Sequence, residues 1–278
     1  MQKQEVEQQS WWLRFVKGMF VGSGFIVPGV SGGALSAIFG IYQPLINFLA
    51  NITENFMKNI KFFLPVGIGA VVSIFLLSFG VTFALDNYAT IVLWFFVGTI
   101  VGMIPSLWAD TGKEGRGQTE WIILITSFIF GLLILSLGST QFGGGVDGNF
   151  WTFLLCGVLI SLGLLIPGLS PSNFIVYLGL YGDMTRGISN LDFGVIIPII
   201  LGAIVTIFSL AKLIEYIFDN YYSKFYHFIF GVVLASTIMI IPTDYAGFGW
   251  IQYLWCAIML IGGVALGAWM TRLESKYK

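Results

Sequence analysis

The chain has 278 residues, of which 57% are hydrophobic and only 10% charged, a composition that excludes an ordinary soluble domain. Its 13 Lys+Arg nearly balance 14 Asp+Glu, and no basic tract is long enough to bind nucleic acid. One histidine and two cysteines, Cys156 and Cys256 in apolar surroundings, leave no basis for a disulfide framework, a metal site or histidine-pair chemistry.

The first ten residues are polar, and no basic stretch leads into a short apolar run with a small-residue cleavage site. The apolar sequence that follows is therefore expected to stay as the first membrane element. Residues 18–53 carry no charge. As one helix they would reach ~54 Å, far more than the ~30 Å hydrocarbon core. Pro28-Gly29 interrupts them, and the arm 18–27 would be only ~15 Å long. These lengths fit a re-entrant helical hairpin; the alternative is a pair of full spans starting near Trp11. Three apolar spans follow at 62–85, 88–109 and 121–138, and a polar connector at 110–120 is expected to be solvated. Residues 148–182 repeat the interrupted pattern around Pro167-Gly168, and spans at 193–211, 225–243 and 245–271 complete the chain.

The second half restates the first. IVPGVSGGALSAIFGIYQPLI at 26–46 aligns with LIPGLSPSNFIVYLGLYGDMT at 165–185. Pro28, Gly29, Ser31, Gly40 and Tyr42 recur there, at one constant offset, as Pro167, Gly168, Ser170, Gly179 and Tyr181. Pro65, Asp86-Asn87-Tyr88 and Gly98 recur at a slightly shorter offset as Pro198, Asp219-Asn220-Tyr221 and Gly231. The duplicated unit is about 135 residues, giving a first repeat at 1–138 and a second at 139–278. A unit of one hairpin plus three spans crosses an odd number of times, so the second copy must be inverted. The expected fold is thus an all-α polytopic membrane protein of two inverted-topology repeats, each a re-entrant helical hairpin plus about three transmembrane helices.

Basic residues test that topology. Lys3, Arg14, Lys17, Lys58, Lys61, Lys113, Arg116, Lys224, Arg272, Lys276 and Lys278 all fall on the side of the N-terminus, and only Arg186 falls opposite. Lys212 lies within a span. The positive-inside bias then puts both termini in the cytoplasm.

The residues fit for chemistry gather at the breaks. Pro28, Gly29, Ser31, Gly32 and Gly33, with Pro167, Gly168, Ser170, Ser172 and Asn173, expose backbone polar groups and hydroxyl or amide donors. At membrane depth that is tolerated where backbone is buried in protein or lines a wet cavity. Helix N-termini following each break would favour an anion, and a phosphate is the natural guest. The competing reading is that the breaks are tight tips packed on each other. Arg14 and Lys17 share a helix face ahead of the first hairpin, and Arg186 follows the second; they are candidates for supplementary charge or for interfacial anchoring. Lys212 with Glu215, and the repeat-related Asp86 and Asp219, are candidates for ion coupling or gating, or for a structural ion pair and polar helix ends. His227 is expected to be buried or interfacial, and Tyr42 and Tyr181 to anchor an interface or join the site.

The paired motifs resemble a bacterial membrane family called PopT, associated with undecaprenyl-phosphate translocation. The family pattern is a PGVSGGT-like motif followed by GIY and a PGiSGS-like motif followed by GLY. Here IVPGVSGGALSAIFGIY and LIPGLSPSNFIVYLGLY correspond, with Ala34 where threonine is common and Pro171 where glycine is usual. The resemblance spans essentially the whole chain. It implies a transporter, not an enzyme, that returns undecaprenyl phosphate from the outer to the inner leaflet for cell-envelope polymer synthesis. It calls for no cofactor. The residues alone serve an ion-coupled transporter of a small soluble anion equally well. A membrane phosphatase would need histidine and carboxylate clusters that this sequence does not supply.

Overall fold

The computed structural model describes residues 10–50, 55–141, 146–166, 170 and 172–277, and those residues are helical apart from short turns and loops. In chain order they form α1 (Trp11–Ile26), α2 (Gly32–Ile38), α3 (Tyr42–Ala50), α4 (Phe56–Thr111), α5 (Gln118–Gln141), α6 (Phe150–Leu165), α7 (Ser172–Tyr177), α8 (Leu180–Ser189), α9 (Phe193–Ile240) and α10 (Trp250–Tyr277). Stretches long and apolar enough to cross a bilayer are Phe56–Thr111, Phe193–Leu210, Tyr216–Ile240 and Trp250–Leu273. Large side chains such as Phe83, Phe208, Phe228 and Ile261 are exposed along them, as expected of surfaces that face lipid. The protein is a multi-pass membrane protein.

The first two spans expected in each half are one continuous stretch. α4 has 56 residues, ~84 Å of helix, far more than one crossing. It bends at a single residue, Tyr88 (φ −142°, ψ 38°), and α9 bends likewise at Tyr221 (φ −139°, ψ 29°). The preceding asparagines occupy carbonyls beside the bends: Asn87 Nδ2 donates to Phe83 O at 2.8 Å, and Asn220 Nδ2 donates to Tyr216 O at 2.9 Å. The repeated Asp-Asn-Tyr is therefore a hinge sequence between two spans.

Each expected hairpin is also more divided than its sequence suggests. α1 and α6 are 16 residues each, ~24 Å long. The return arm is two short helices, α2 then α3 and α7 then α8. They are separated at Gly40 (φ 70°) and Gly179 (φ 75°), a left-handed conformation that glycine adopts without strain.

Packing follows the sequence duplication. α1 lies on the first half of α4 and α6 on the first half of α9. A Cβ on Gly18 would overlap the Val66 carbonyl oxygen, and one on Gly157 would overlap that of Ile199. α10 closes on the second half of α4, with Gly98 against Leu260, while α5 closes on the second half of α9, with Gly231 against Leu124. Each half thus lends its last helix to the other, and the apolar cluster of Val97, Ile100, Leu165, Ile229 and Phe230 joins them. Gly18→Val and Gly157→Val are each expected to unseat an interhelical contact at about 1–3 kcal/mol or more. Thermal unfolding in detergent, followed by size-exclusion chromatography, would report both as early aggregation; wild-type midpoints would refute the backbone contact.

The connector at 112–117 is docked, not merely solvated. Ser223 Oγ donates to Gly115 O at 2.9 Å, and Arg116 lies 4.0 Å over the Trp108 ring and donates to Trp108 O at 2.6 Å. Burial alone would lower the Lys113 ammonium. Its hydrogen bond and attraction to Asp110, helped by Tyr222, outweigh that and raise it above the ordinary lysine value.

Candidate functional site

α1 stops at Ile26 and α6 at Leu165, each just before its Pro-Gly. A helix end leaves its last carbonyls without intrahelical partners, and burying one unpaired is costly. Each end is closed from the other half of the chain. The Tyr181 hydroxyl donates to Ile26 O in a buried contact, and the Tyr42 hydroxyl donates to Leu165 O at 3.0 Å. Tyr42 aligns with Tyr181 in the recurring motif, and Ile26 with Leu165, so the two bonds are reciprocal.

Between α1 and α2 the chain turns at Gly29 (φ 80°). The Gly29 N–H donates to Ser170 Oγ at 3.0 Å and to Asn173 Oδ1 at 3.2 Å, 141 and 144 residues away. Ser170 Oγ lies 3.0 Å from Ser172 Oγ. On the other flank the Thr99 hydroxyl shares its proton between Pro28 O at 2.6 Å and Phe96 O at 2.8 Å. Pro28, Gly29, Gly32 and Gly33 are buried, and Ser31, Ser170, Ser172 and Asn173 are each at most 3% exposed. The break of the first half thus meets the sequence after the second break at one buried cluster of neutral hydrogen-bonding groups. Pro167 and Gly168 themselves, and Pro171, lie outside the described residues. An anionic oxygen entering this cluster could take the Gly29 N–H in place of Ser170 Oγ and Asn173 Oδ1, and the Ser170 and Ser172 hydroxyls could turn their protons to it.

The candidate charges are engaged elsewhere. Arg14 donates through NH1 to Lys61 O at 3.3 Å and Phe62 O at 3.2 Å, and lies 5.3 Å over the Phe62 ring. Lys17 Nζ donates to Phe39 O at 3.2 Å, at the C-terminal turn of α2, where a cation is electrostatically favoured. Sharing one face of α1 therefore sends these two cations to different elements. Arg186 pairs with Asp86 at 2.7 Å and with Asp183 at 3.4 Å, each group about half exposed. Lys212 and Asp219 are exposed, and the Glu215 side chain lies outside those described. His227 is fully buried, its Nδ1 donating to Ser223 O at 2.7 Å.

Thr99 is the site residue that sequence reasoning missed. In the alignment of the chain's two halves it falls opposite Val232, so the recurrence gives it no signal, and it stands among apolar residues. The tyrosines do carry a signal, their recurrence in the motif, but the carbonyls they reach are 123 and 155 residues away.

A family model described as undecaprenyl phosphate translocase-like matches residues 21–250. A polyprenyl-phosphate transporter of Vibrio cholerae is 20% identical over 242 residues, covering 82% of this chain and 77% of its own. A polyprenyl-phosphate transporter of Staphylococcus aureus is 25% identical over 250 residues, covering 84% and 88%. No solved structure matches the chain. The matched span runs from within α1 to the start of α10 and takes in both breaks, both tyrosines and the Gly29 cluster, so by its sequence this chain belongs to the undecaprenyl phosphate translocase-like family.

Proposed function

We propose that the protein moves a polyprenyl phosphate, undecaprenyl phosphate or a close relative, from the outer to the inner leaflet of the bacterial plasma membrane. The lipid carrier thereby becomes available again for cell-envelope polymer synthesis. One observation carries this reading: the two halves of an apolar chain meet, at the helix break, in a buried cluster of neutral hydrogen-bonding groups built from Gly29, Ser170, Ser172 and Asn173, with the Gly29 N–H and two hydroxyls as its donors. A phosphate monoester needs such donors away from water, while its isoprenoid tail needs only lipid. The names of the Vibrio and Staphylococcus relatives support the same substrate class.

The repeats at 1–138 and 139–278 are read as inverted with both termini cytoplasmic, and several pairings support this. Asp86 meets Arg186 on the expected outer side, as Trp94 meets Tyr245 with Nε1 3.2 Å from the hydroxyl. Ser223 meets Glu114 and Gly115 on the expected inner side. The ~24 Å lengths of α1 and α6, short of a ~30 Å core, support re-entrant hairpins. Ser31, Gly32, Gly33, Pro167 and Gly168 complete the proposed site. Arg186 is proposed as first outer contact for the phosphate, and Arg14 and Lys17 as cytoplasmic-side charge. Lys212, Glu215, Asp86 and Asp219 are proposed for gating or coupling.

The test is leaflet-to-leaflet movement of undecaprenyl phosphate in proteoliposomes, with inorganic phosphate release followed in parallel. Wild type should move the lipid without releasing phosphate. Arg186→Ala should weaken capture from the outer face, and Ser170→Ala or Ser31→Ala should slow movement about ten-fold or more, the loss of one charge-assisted bond. Movement no faster than in empty liposomes, with or without a pH or sodium gradient, would transfer the site to a small soluble anion.

A further inference from the structure

The two halves are alike in sequence but not in packing. α8 is sunk into the protein: Leu180, Tyr181, Met184, Thr185, Gly187 and Ser189 are all buried. It packs along α4 just before the Tyr88 bend, where Thr82 Oγ1 donates to Thr185 Oγ1 at 3.1 Å and Arg186 pairs with Asp86. Its counterpart α3 has no buried residue among those described and forms no comparable packed pair with α9. The reciprocal tyrosines differ in the same sense, Tyr181 being 2% exposed while Tyr42 is only partly buried. The positions equivalent to Arg186 and Asp86 are Asn47 and Asp219, and both are exposed.

Two copies of one unit that adopt different packing are two states of one design. We infer that this conformation is closed on the outer side by α8 against α4 and open on the inner side between α3 and α9, and that transport exchanges these roles. In the second state α3 would seat against α9 near the Tyr221 bend, burying Tyr42, while α8 swings from α4 and releases Arg186. The outer closure suits a gate that must open, since a half-exposed ion pair holds weakly. It also makes the Asp86 carboxylate a stand-in for the phosphate on Arg186, so arriving substrate would loosen the gate that admits it. The inference rests on the inverted arrangement and sidedness proposed above.

The test uses two engineered cysteine pairs in the full chain, Thr82→Cys with Thr185→Cys at the outer contact and Asn47→Cys with Asp219→Cys at the inner positions equivalent to Arg186 and Asp86. Cys156 and Cys256 are buried, which leaves the oxidant to act on the engineered pairs. The outer pair should cross-link readily with copper phenanthroline and block lipid movement until reduced. The inner pair should cross-link about ten-fold or more slowly, through a minor state, and faster when Asp86→Asn loosens the outer contact. Equal rates for the two pairs, no acceleration by Asp86→Asn, or undiminished transport with the outer pair cross-linked would each overturn the inference. Cross-linking needs no substrate, so a wild type that fails to move lipid phosphate would defeat the substrate reading alone, and the cross-linking rates would still decide the gate.

Discussion

Gly29→Ala is expected to abolish most lipid movement and to cost about 2–5 kcal/mol of stability, the sum of left-handed strain and forced overpacking. The residue sits at φ 80°, and an added Cβ would overlap the Thr99 side chain and lie 2.8 Å from the Thr99 carbonyl carbon. Relief would require moving the turn off α4, which breaks the Thr99 bond to Pro28 O and pulls the Gly29 N–H away from Ser170 and Asn173. Gly247 supplies the control. It has nearly the same backbone, φ 75°, but nothing within 4 Å of its added Cβ. Gly247→Ala should therefore lose only the conformational part, about 1–2 kcal/mol, and keep transport. The comparison reads thermal midpoints in detergent beside transport rates in liposomes. A Gly29→Ala protein as stable and active as the Gly247→Ala protein would remove the close approach from the site.

Why the break is legible and its partners are not follows from what duplication preserves. Pro28-Gly29 in an uncharged run too long for one crossing is a local signal, and α1 indeed ends at Ile26 with α2 starting at Gly32. Asp-Asn-Tyr at both bends is visible as a repeat but reads as a helix end, because one non-helical residue between two spans leaves no mark in hydropathy. Gly40 and Gly179 recur too, yet a glycine after an apolar helix looks the same whether the chain turns or continues. The cations are the least legible. Arg14 and Lys17 sit three residues apart on α1, but α4 and the end of α2 lie to either side of that face, and each cation takes a carbonyl of a different one. Arg186 finds carboxylates, one of them 100 residues away. Such partners depend on how helices cross, and helix order alone does not set that.

Tyr181→Phe and Tyr42→Phe should separate stability from transport. Removing the Tyr181 hydroxyl leaves Ile26 O unpaired inside a fully packed cluster, a loss of about 1–3 kcal/mol. Removing the Tyr42 hydroxyl leaves Leu165 O unpaired at a part-buried contact, so the loss should be smaller, about 1 kcal/mol. If the two halves exchange conformations, the order need not hold for rates. The Tyr42 bond would be the buried one in the outward-open state, and Tyr42→Phe would destabilise that state by what Tyr181→Phe costs this one. Both variants should then slow lipid movement, although one shifts the unfolding midpoint less. Inner-pair cross-linking separates them further: Tyr42→Phe should slow it, by disfavouring the state in which α3 seats on α9, and Tyr181→Phe should speed it. A Tyr42→Phe protein that cross-links and transports like wild type would mean that the weaker of the two bonds is never the stronger one, and that the asymmetry belongs to a fixed structure and not to a cycle.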